Sequence, residues 1–426
     1  MGGTGLFLTD DVFDASHMAS VEAYLAQEAS LPAPVASQNF FFTEQDVKNA
    51  RINEGLPFTI TPAYDFNGKP NFMDEHGNLI AGIYSGMENE VYHSLPATSS
   101  SQVKKYAKSP AHYKRAYIDT VNRKRLAKAT ERTFDAGTYG HELILEPEGF
   151  YDRYFRLLNA ADHENSIHTT EALKDKCKEL SLPTSGTKAV LIERIHATDP
   201  TVRIFEVEQY NHIIKNAGLK AVIKAKEVIE ASSGRPSLID SLKHKDVKPL
   251  LHKTPIDPIV WDDAHRACKT VREHEFANSI IQNGFAELSV IAQCPETGMM
   301  LKVRFDWITK DGIPADVKTT RSANPLMASY QFGDLNYDLQ AYMYTYVGRL
   351  AGIPCPVNVF PFVTVEYTEA DICEVFELCD DDWEIAERNF HRHIKSLAHS
   401  LENNDWPGYS RRNGSTLLRL PKRGRA

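Results

Sequence analysis

The feature of this sequence that most constrains its fold is a pair of apolar, alternating segments joined by Asp311-Gly312, in the stretch RFDWITKDGIPADVKTT. An Asp-Gly pair between two such segments is a strong signal for a tight β-hairpin. Asp306 and Asp316 lie equally far from Asp311, so antiparallel pairing places them near one another. Lys318 follows Asp316 by two residues and therefore projects from the same face of its strand. The sequence thus predicts that two carboxylates and one ammonium converge on a small volume.

The chemistry that these side chains favour is the binding of a hard divalent cation. Two adjacent aspartates repel each other unless a positive charge lies between them, and Mg²⁺ prefers such oxygen ligands. A metal ion there could polarise a phosphodiester and activate water, while Lys318 positions that water or stabilises transition-state charge. Glu287, in the preceding segment AELSV, is a candidate third carboxylate. The alternative is an exposed salt-bridge cluster; the metal site is favoured because charges in central strands are costly unless they bind something.

A compact α/β core is predicted from Ile256 onwards. A helix is followed by three strands, a second helix, one more strand and a final acidic helix, in the segments DPIVWDDAHRACKTVREH, AELSVIAQC, MLKVRFDWIT, IPADVKTT, LNYDLQAYMYTYVGRLAG, VNVFPFVTVEYT and DDDWEIAERNFHRHIKSLAHSL. This order is typical of a mixed central sheet flanked by helices. The expected organisation is an appended segment (1–80), a first part of the core (81–160), a small helical module (165–200), a helical insert (201–250), the main core (251–409) and a basic tail (410–426).

The composition is that of an ordinary globular protein, and its cysteine pattern indicates a reducing environment. Six cysteines lie at scattered spacings without a CxxC pair, which favours free thiols and, with a start that lacks a signal peptide, a cytoplasmic location. The most apolar stretch is interrupted by Arg349 and prolines and cannot span a membrane. The net charge of −9 argues only weakly against a nucleic-acid partner, because DNA affinity depends on local lysine and arginine placement. No GxxxxGK[ST] loop is present, so no ATP requirement is expected.

The sequence of residues 165–200 predicts a pair of short helices. Leu173, Cys177 and Leu180 form an apolar stripe on the first helix, and the segment LPTSG links it to the second. The second stripe consists of Val190, Leu191 and Ile195. The segment LPTSGTKAVLIERI resembles the SAP motif, a helix-loop-helix DNA-binding module, which implies contacts to the DNA backbone with little sequence preference. The candidate DNA-binding residues are Lys174, Lys176, Lys178, Gly186, Lys188 and Arg194. The alternative is a spacer or a protein-docking hairpin.

The remaining motifs resemble a known nuclease family. Upstream of the hairpin, GTYGHELILEP begins a helix that Asp135 can cap, in which Gly137 and Gly140 allow close approach of another backbone. Downstream lie AELSV, RFDWI, ADVKTT and LQAYMY. In this order the segments resemble the RecB-like branch of the PD-(D/E)xK nucleases, and in particular the RecE-like exonucleases, over roughly residues 82–160 and 251–409. The insertion between His141 and Glu287 is longer than the family pattern needs.

The resemblance implies a role for each matching residue. It implies metal ligation by His141, Asp306, Asp316 and the carbonyl of Val317, catalysis by Lys318, and DNA contacts near the site by Gln340 and Tyr344 of a QxxxY motif. Glu287 matches an acidic position of the family. Without the resemblance, the stripe of Tyr342, Tyr344 and Tyr346 would be read as core packing.

The activity that the resemblance implies is Mg²⁺-dependent (or Mn²⁺-dependent) digestion of linear double-stranded DNA from an end. The implied polarity is 5′ to 3′, which leaves a 3′ single strand for a RecT-like annealing protein. The family also implies a ring-shaped tetramer. Two alternatives stay open at this point: a structure-specific endonuclease on the same core, and a DNA-binding recombination factor without catalysis.

Overall fold

The computed structural model describes residues 52–119, 131–232, 234–368 and 370–409, with the backbone alone at 131–136. The predicted tail at 410–426 lies outside these residues, as does the first part of the predicted appended segment. The described chain forms two compact units. The sheet unit consists of residues 52–137 and 266–409, and the helical unit of residues 138–265. No helix of the described ranges is long and apolar enough to cross a membrane.

The strands are β1 (Ile60–Pro62), β2 (Gly82–Ser85), β3 (Tyr154–Arg156), β4 (Thr254–Ile256), β5 (Gly284–Gln293), β6 (Met300–Thr309), β7 (Pro314–Thr320), β8 (Phe362–Glu366) and β9 (Ile372–Phe376). The helices are α1 (Asn89–Ser94), α2 (Ser100–Lys108), α3 (Pro110–Tyr113), α4 (Glu131–Leu145), α5 (Pro147–Arg153), α6 (Thr170–Glu179), α7 (Lys188–Thr198), α8 (Phe205–Ala217), α9 (Leu219–Glu230), α10 (Leu238–Leu242), α11 (Pro258–Glu273), α12 (Glu275–Ile281), α13 (Pro325–Asp334), α14 (Tyr337–Leu350) and α15 (Asp380–Asn403).

The sheet unit is built on a mixed sheet with the strand order β1-β2-β5-β6-β7-β8-β9. The pairs β1–β2 and β7–β8 are parallel, while β2–β5, β5–β6, β6–β7 and β8–β9 are antiparallel. Helices α14 and α15 cover the sheet through a core that includes Phe305, Phe362 and Phe390, all fully buried. The predicted fold class, a mixed α/β sheet flanked by helices, is confirmed.

The central hairpin has the predicted geometry. Strands β6 and β7 pair in antiparallel register at Trp307↔Ala315 and Ile308↔Pro314. Gly312, in the turn, has a φ of +89°, a left-handed conformation that a residue without a Cβ adopts at little cost. The turn therefore fixes the register that the sequence predicted.

Three sequence predictions need correction. Residues 52–80 are more than an appended segment, because β1 pairs with β2 inside the sheet; short strands of three and four residues give little periodic signal. Helix α4 begins at Glu131, so Asp135 lies in its interior and is not its N-cap. At Gly137 the close neighbour is a side chain and not the predicted backbone: a Cβ built there would lie 2.8 Å from Thr319 Oγ1.

Helix α2 begins within a run of three serines at residues 99–101. Ser99 is its N-cap residue, and its backbone N–H donates to Gln102 Oε1 at 2.7 Å, part of a capping box. Val103 and Tyr106 are buried, and Tyr106 donates through its hydroxyl to Ser396 O of α15. Cap and packing together fix which way the remaining side chains of α2 point.

Lys302 of β6 is a buried lysine that closes the C-terminal end of α1. It is 3% exposed, and its Nζ donates to the carbonyl oxygens of Tyr92, His93 and Leu95 at 2.8, 3.0 and 2.9 Å. These carbonyls lie at or just after the C-terminal end of α1, where a helix offers few backbone donors.

Lys302→Met should lower the free energy of unfolding by about 2–4 kcal/mol, because three buried carbonyls lose a charged donor. Chemical denaturation monitored by circular dichroism measures the change. Lys310→Met, at an exposed position just after β6, is the matched control and should shift stability by no more than about 0.5 kcal/mol. Equal stability of the two variants would show that Lys302 does not hold this segment.

In the helical unit, a long segment of the chain is flanked by the two strands of one small sheet. Strands β3 and β4 pair in parallel, so residues 157–253 leave and return at neighbouring positions. Helices α8, α9 and α10 share one apolar cluster with β3. Helices α6 and α7 share a second, composed of Leu173, Cys177, Leu191, Ile192, Ile195 and Ile204. The predicted stripe on α7 is corrected at one position, since Ile192 is buried where Val190 was expected.

Candidate active site

Asp306 and Asp316 occupy opposed positions where two strands separate. The last paired residues of the hairpin are Trp307 and Ala315, so the next opposed positions are Asp306 and Asp316. There β7 leaves β6 and continues its pairing with β8. Asp306 Oδ2 accepts a hydrogen bond from the backbone N–H of Val317 at 3.1 Å. The two carboxylates therefore lie side by side, as the hairpin spacing predicted.

Glu287 extends this pair to a row across three strands. The flanking pairs Ala286↔Trp307 and Leu288↔Phe305 place Glu287 opposite Asp306. Glu287 has a φ of +54°, which is unfavourable for a residue with a side chain and departs from the extended conformation of β5. Its Oε2 lies 3.7 Å from Arg304 Nη1. We call Glu287, Asp306 and Asp316 the carboxylate row.

Arg304 is held rigidly beside the carboxylate row. Its Nε donates to Ser289 Oγ at 3.0 Å, and its Nη2 donates to the carbonyl oxygen of Met87. The guanidinium also lies over the ring of Tyr92, 4.6 Å from the centroid. These contacts fix one positive charge at the outer end of the row, next to Glu287.

Lys318 pairs directly with the innermost carboxylate. Its Nζ lies 2.5 Å from Asp316 Oδ2, and Asp316 is only 1% exposed. Burial works to lower the pKa of Lys318, but the carboxylates of Asp316 and Asp306 outweigh it and hold that pKa above its ordinary value. Lys318 is therefore a charged ammonium at neutral pH, aimed at the site.

Gln340 and Tyr344 lie on the site-facing side of α14. Gln340 Nε2 donates to Asp316 Oδ1 at 2.7 Å. Tyr344, one turn later, packs edge-on against Phe305 with ring centroids 5.6 Å apart. Burial raises the pKa of Tyr344 well above its ordinary value, so its phenol stays protonated. By contrast, Tyr342 donates to Glu387 on α15 and belongs to the packing between the helices.

Lys104 is a site residue that the sequence analysis missed. It lies on α2, and its Nζ donates to Gln340 Oε1 at 2.6 Å. Lys104 and Lys318 approach the same ring, that of Tyr337, with Nζ–centroid distances of 4.9 and 4.8 Å. Burial, reinforced by the Lys318 ammonium, lowers the pKa of Lys104 to about 8. No local pattern marks Lys104, because its partner lies 236 residues away in the chain.

The donor set fits a hard divalent cation. Asp306 and Asp316 present carboxylate oxygens from adjacent strands, which is the ligand chemistry that Mg²⁺ prefers. Within the described ranges, no three or more histidine, cysteine, aspartate or glutamate side chains are gathered as a preformed metal cage. Instead, Asp316 is held by Lys318 and Gln340. The site thus offers two ligands and keeps a cation of its own beside them.

The two remaining predicted ligands rest on the resemblance. Val317 lies in β7 between Asp316 and Lys318, and its N–H contacts Asp306; ligation through its carbonyl is a prediction. His141 lies in α4, within the helical unit, and its role as a metal ligand is likewise a prediction.

The basic candidate DNA-binding residues of the SAP-like module divide into two groups. Arg194 Nη1 donates to the carbonyl oxygens of Pro183 and Ser185, and Lys188 pairs with Glu206 and donates to His168 O. These two side chains hold the linking loop and the start of α7 in place. The second group lies on α6: Lys174 is exposed, and Lys176 and Lys178 form surface ion pairs with Glu179 and Asp175. Such exposed pairs are weak. Gly186, in the loop, is also exposed.

If the first helix of the module contacts DNA phosphates, Lys174→Ala with Lys178→Ala should weaken binding of the full-length protein to duplex DNA. Two lost phosphate contacts should reduce the slope of log K against log salt by about 2. Fluorescence anisotropy over a salt series measures both quantities. Lys224→Ala with Lys226→Ala, on α9 of the same unit, is the matched control. An unchanged slope in the α6 variant would rule out these contacts.

Two parts of the chain match known domain families. Residues 243–414 match the family described as a PDDEXK-like domain of unknown function (DUF3799), and residues 169–196 match the SAP domain. The chain is also similar to a crystal structure of a protein from Eubacterium rectale, described as a candidate exonuclease, with 10% identity and a TM-score of 0.29 over 61% of this chain and 92% of that one. No curated protein matches the chain.

The residues that match the PDDEXK-like domain include the whole carboxylate row, Lys318 and Gln340. The SAP domain at residues 169–196 lies in the helical unit.

Proposed function

We propose that this protein is a Mg²⁺-dependent, ATP-independent exodeoxyribonuclease that digests linear double-stranded DNA from an end. The observation that carries the proposal is the meeting of Asp306, Asp316 and Lys318 at the point where β6 and β7 separate. The carboxylates supply oxygen ligands, and the ammonium supplies a positive charge directed at the same volume.

Each residue of the site has a distinct task in this proposal. Asp306 and Asp316 would hold the divalent cation, which supplies Lewis acidity toward the phosphodiester and a water of lowered pKa. Lys318 orients the attacking water and stabilises the negative charge that develops on the phosphate. Gln340 holds the carboxylate of Asp316 in place through its amide N–H. Glu287, at the positive-φ position of β5, would accept a hydrogen bond from water at the edge of the site.

The finer details of the activity come from the resemblance to RecE-like exonucleases. They are 5′-to-3′ polarity, a 3′ single-stranded product and delivery of that strand to a RecT-like annealing protein during phage-type recombination. A ring-shaped tetramer belongs to the same proposal. The SAP domain would raise the local concentration of DNA at the nuclease domain, which increases apparent affinity without any new contact at the site.

Digestion of defined DNA substrates by the full-length protein tests the proposal. With Mg²⁺, linear duplex should release mononucleotides or short products while covalently closed circular duplex survives. A label at the 5′ end should be released before a label at the 3′ end. Cleavage of the closed circle would identify an endonuclease. DNA binding without hydrolysis at any concentration of Mg²⁺ or Mn²⁺ would identify a non-catalytic DNA-binding factor.

A further inference from the structure

We infer that Lys104 is a positioning residue of this site: it fixes the orientation of the Gln340 amide and, through it, the carboxylate of Asp316. The inference rests on the proposed function, because it assigns Lys104 a task in metal binding and catalysis. It concerns a contact between α2 and α14, two helices that are far apart in the sequence.

The contact matters because a glutamine amide has two chemically different ends. Its oxygen only accepts hydrogen bonds, and its nitrogen only donates them. Lys104 Nζ donates to Gln340 Oε1 at 2.6 Å, and Gln340 Nε2 donates to Asp316 Oδ1 at 2.7 Å. A reversed amide would direct its oxygen at a carboxylate and its nitrogen at an ammonium. Lys104 therefore selects the orientation in which Gln340 stabilises Asp316.

Lys104 is part-buried in α2, so its ammonium is partly removed from water. It lies between Val103 and Tyr106, which are both buried, on a helix that packs against α14 and α15. Removing an ammonium from water is costly unless it gains specific contacts. Here those contacts are the amide oxygen of Gln340 and the face of the Tyr337 ring. Such placement is typical of a residue that serves a site.

The Asp316 carboxylate is therefore held at both of its oxygens. Gln340 fixes Oδ1 of Asp316, and Lys318 lies at Oδ2. When Lys104 is lost, Gln340 can turn over, and Asp316 loses its fixed orientation. A ligand that is no longer oriented binds its metal more weakly. Loss of residues that orient metal ligands typically costs about 10–100-fold in metal affinity or activity.

Two measurements on full-length variants test the inference. The first is calorimetric titration of Mn²⁺ into the DNA-free protein, which requires no activity. Lys104→Met should weaken Mn²⁺ binding about tenfold, while Lys104→Arg, which keeps a charged donor, should stay within about threefold of the wild type. The second is digestion kinetics: Lys104→Met should lower kcat by about 10–100-fold and leave KM for DNA within about twofold. Lys105→Met, at the adjacent exposed lysine, is the matched control and should match the wild type.

A double-mutant cycle separates positioning through Gln340 from a purely structural role. If Lys104 acts through Gln340, adding Lys104→Met to Gln340→Ala should cause no further loss of Mn²⁺ affinity. Additive losses, or a Lys104→Met protein that binds Mn²⁺ like Lys105→Met, would overturn the inference. A wild-type protein that neither binds Mn²⁺ nor digests DNA would instead overturn the proposed function, so the two failures are distinguishable.

Discussion

Asp316→Asn should abolish metal-dependent DNA digestion while leaving the fold intact. The substitution keeps the shape of the side chain and an oxygen that can accept the hydrogen bond from Gln340 Nε2. It removes the negative charge that binds the cation, and the transition state loses several kcal/mol of stabilisation. We expect kcat to fall by at least about 1000-fold. In calorimetry, Mn²⁺ binding should be lost or reduced below detection.

The control for this variant is Asp311→Asn, an exposed aspartate in the turn of the same hairpin. It should digest DNA at the wild-type rate. DNA binding by Asp316→Asn should also persist, because the SAP domain is unchanged. An Asp316→Asn protein with the same circular dichroism spectrum and undiminished digestion would show that this carboxylate has no part in the chemistry.

Lys318→Met should separate metal binding from catalysis. The ammonium of Lys318 pairs with Asp316 and is held charged by both aspartates, so it is a cation that competes for the same carboxylate. Its removal should leave Mn²⁺ affinity unchanged or increased. Digestion should nevertheless fall by about 100–1000-fold, the usual cost of losing one charge-stabilising group in an active site.

Single-turnover digestion and calorimetry on the same protein measure the two effects. Lys310→Met, in the exposed turn, is the matched control and should change neither. If Lys318→Met lost Mn²⁺ binding together with activity, the lysine would act as a structural partner of the aspartates. If activity persisted, another group would have to supply the positive charge.

Local sequence predicted the hairpin and the proximity of Asp306, Asp316 and Lys318. Asp311-Gly312 fixes the turn, the turn fixes the register, and the register places Asp306 opposite Asp316. Helical periodicity then places Gln340 and Tyr344 on one face of α14. These features depend on residues close together in the chain, which is why the sequence alone predicts them.

Other parts of the site depend on contacts that the sequence does not encode locally. Lys104 contacts Gln340 only because α2 packs against α14, and no local sequence pattern around Lys104 predicts that contact. Glu287 has a positive φ although it is neither glycine nor asparagine, so no residue preference predicts this conformation. In the SAP domain, the sequence identified the basic residues but did not separate those that hold the loop from those that are exposed. The carbonyl partners of Arg194 lie in a loop whose conformation the sequence does not predict.

Anomalous diffraction from crystals soaked in Mn²⁺ tests the central claim most directly. A cation bound by Asp306 and Asp316 should give an anomalous peak between their carboxylates, with metal–oxygen distances of about 2.0–2.3 Å. The same peak should be missing from crystals of Asp316→Asn. A protein that digests DNA with Mn²⁺ but shows its only strong peak elsewhere would contradict the assignment of the hairpin as the nuclease site.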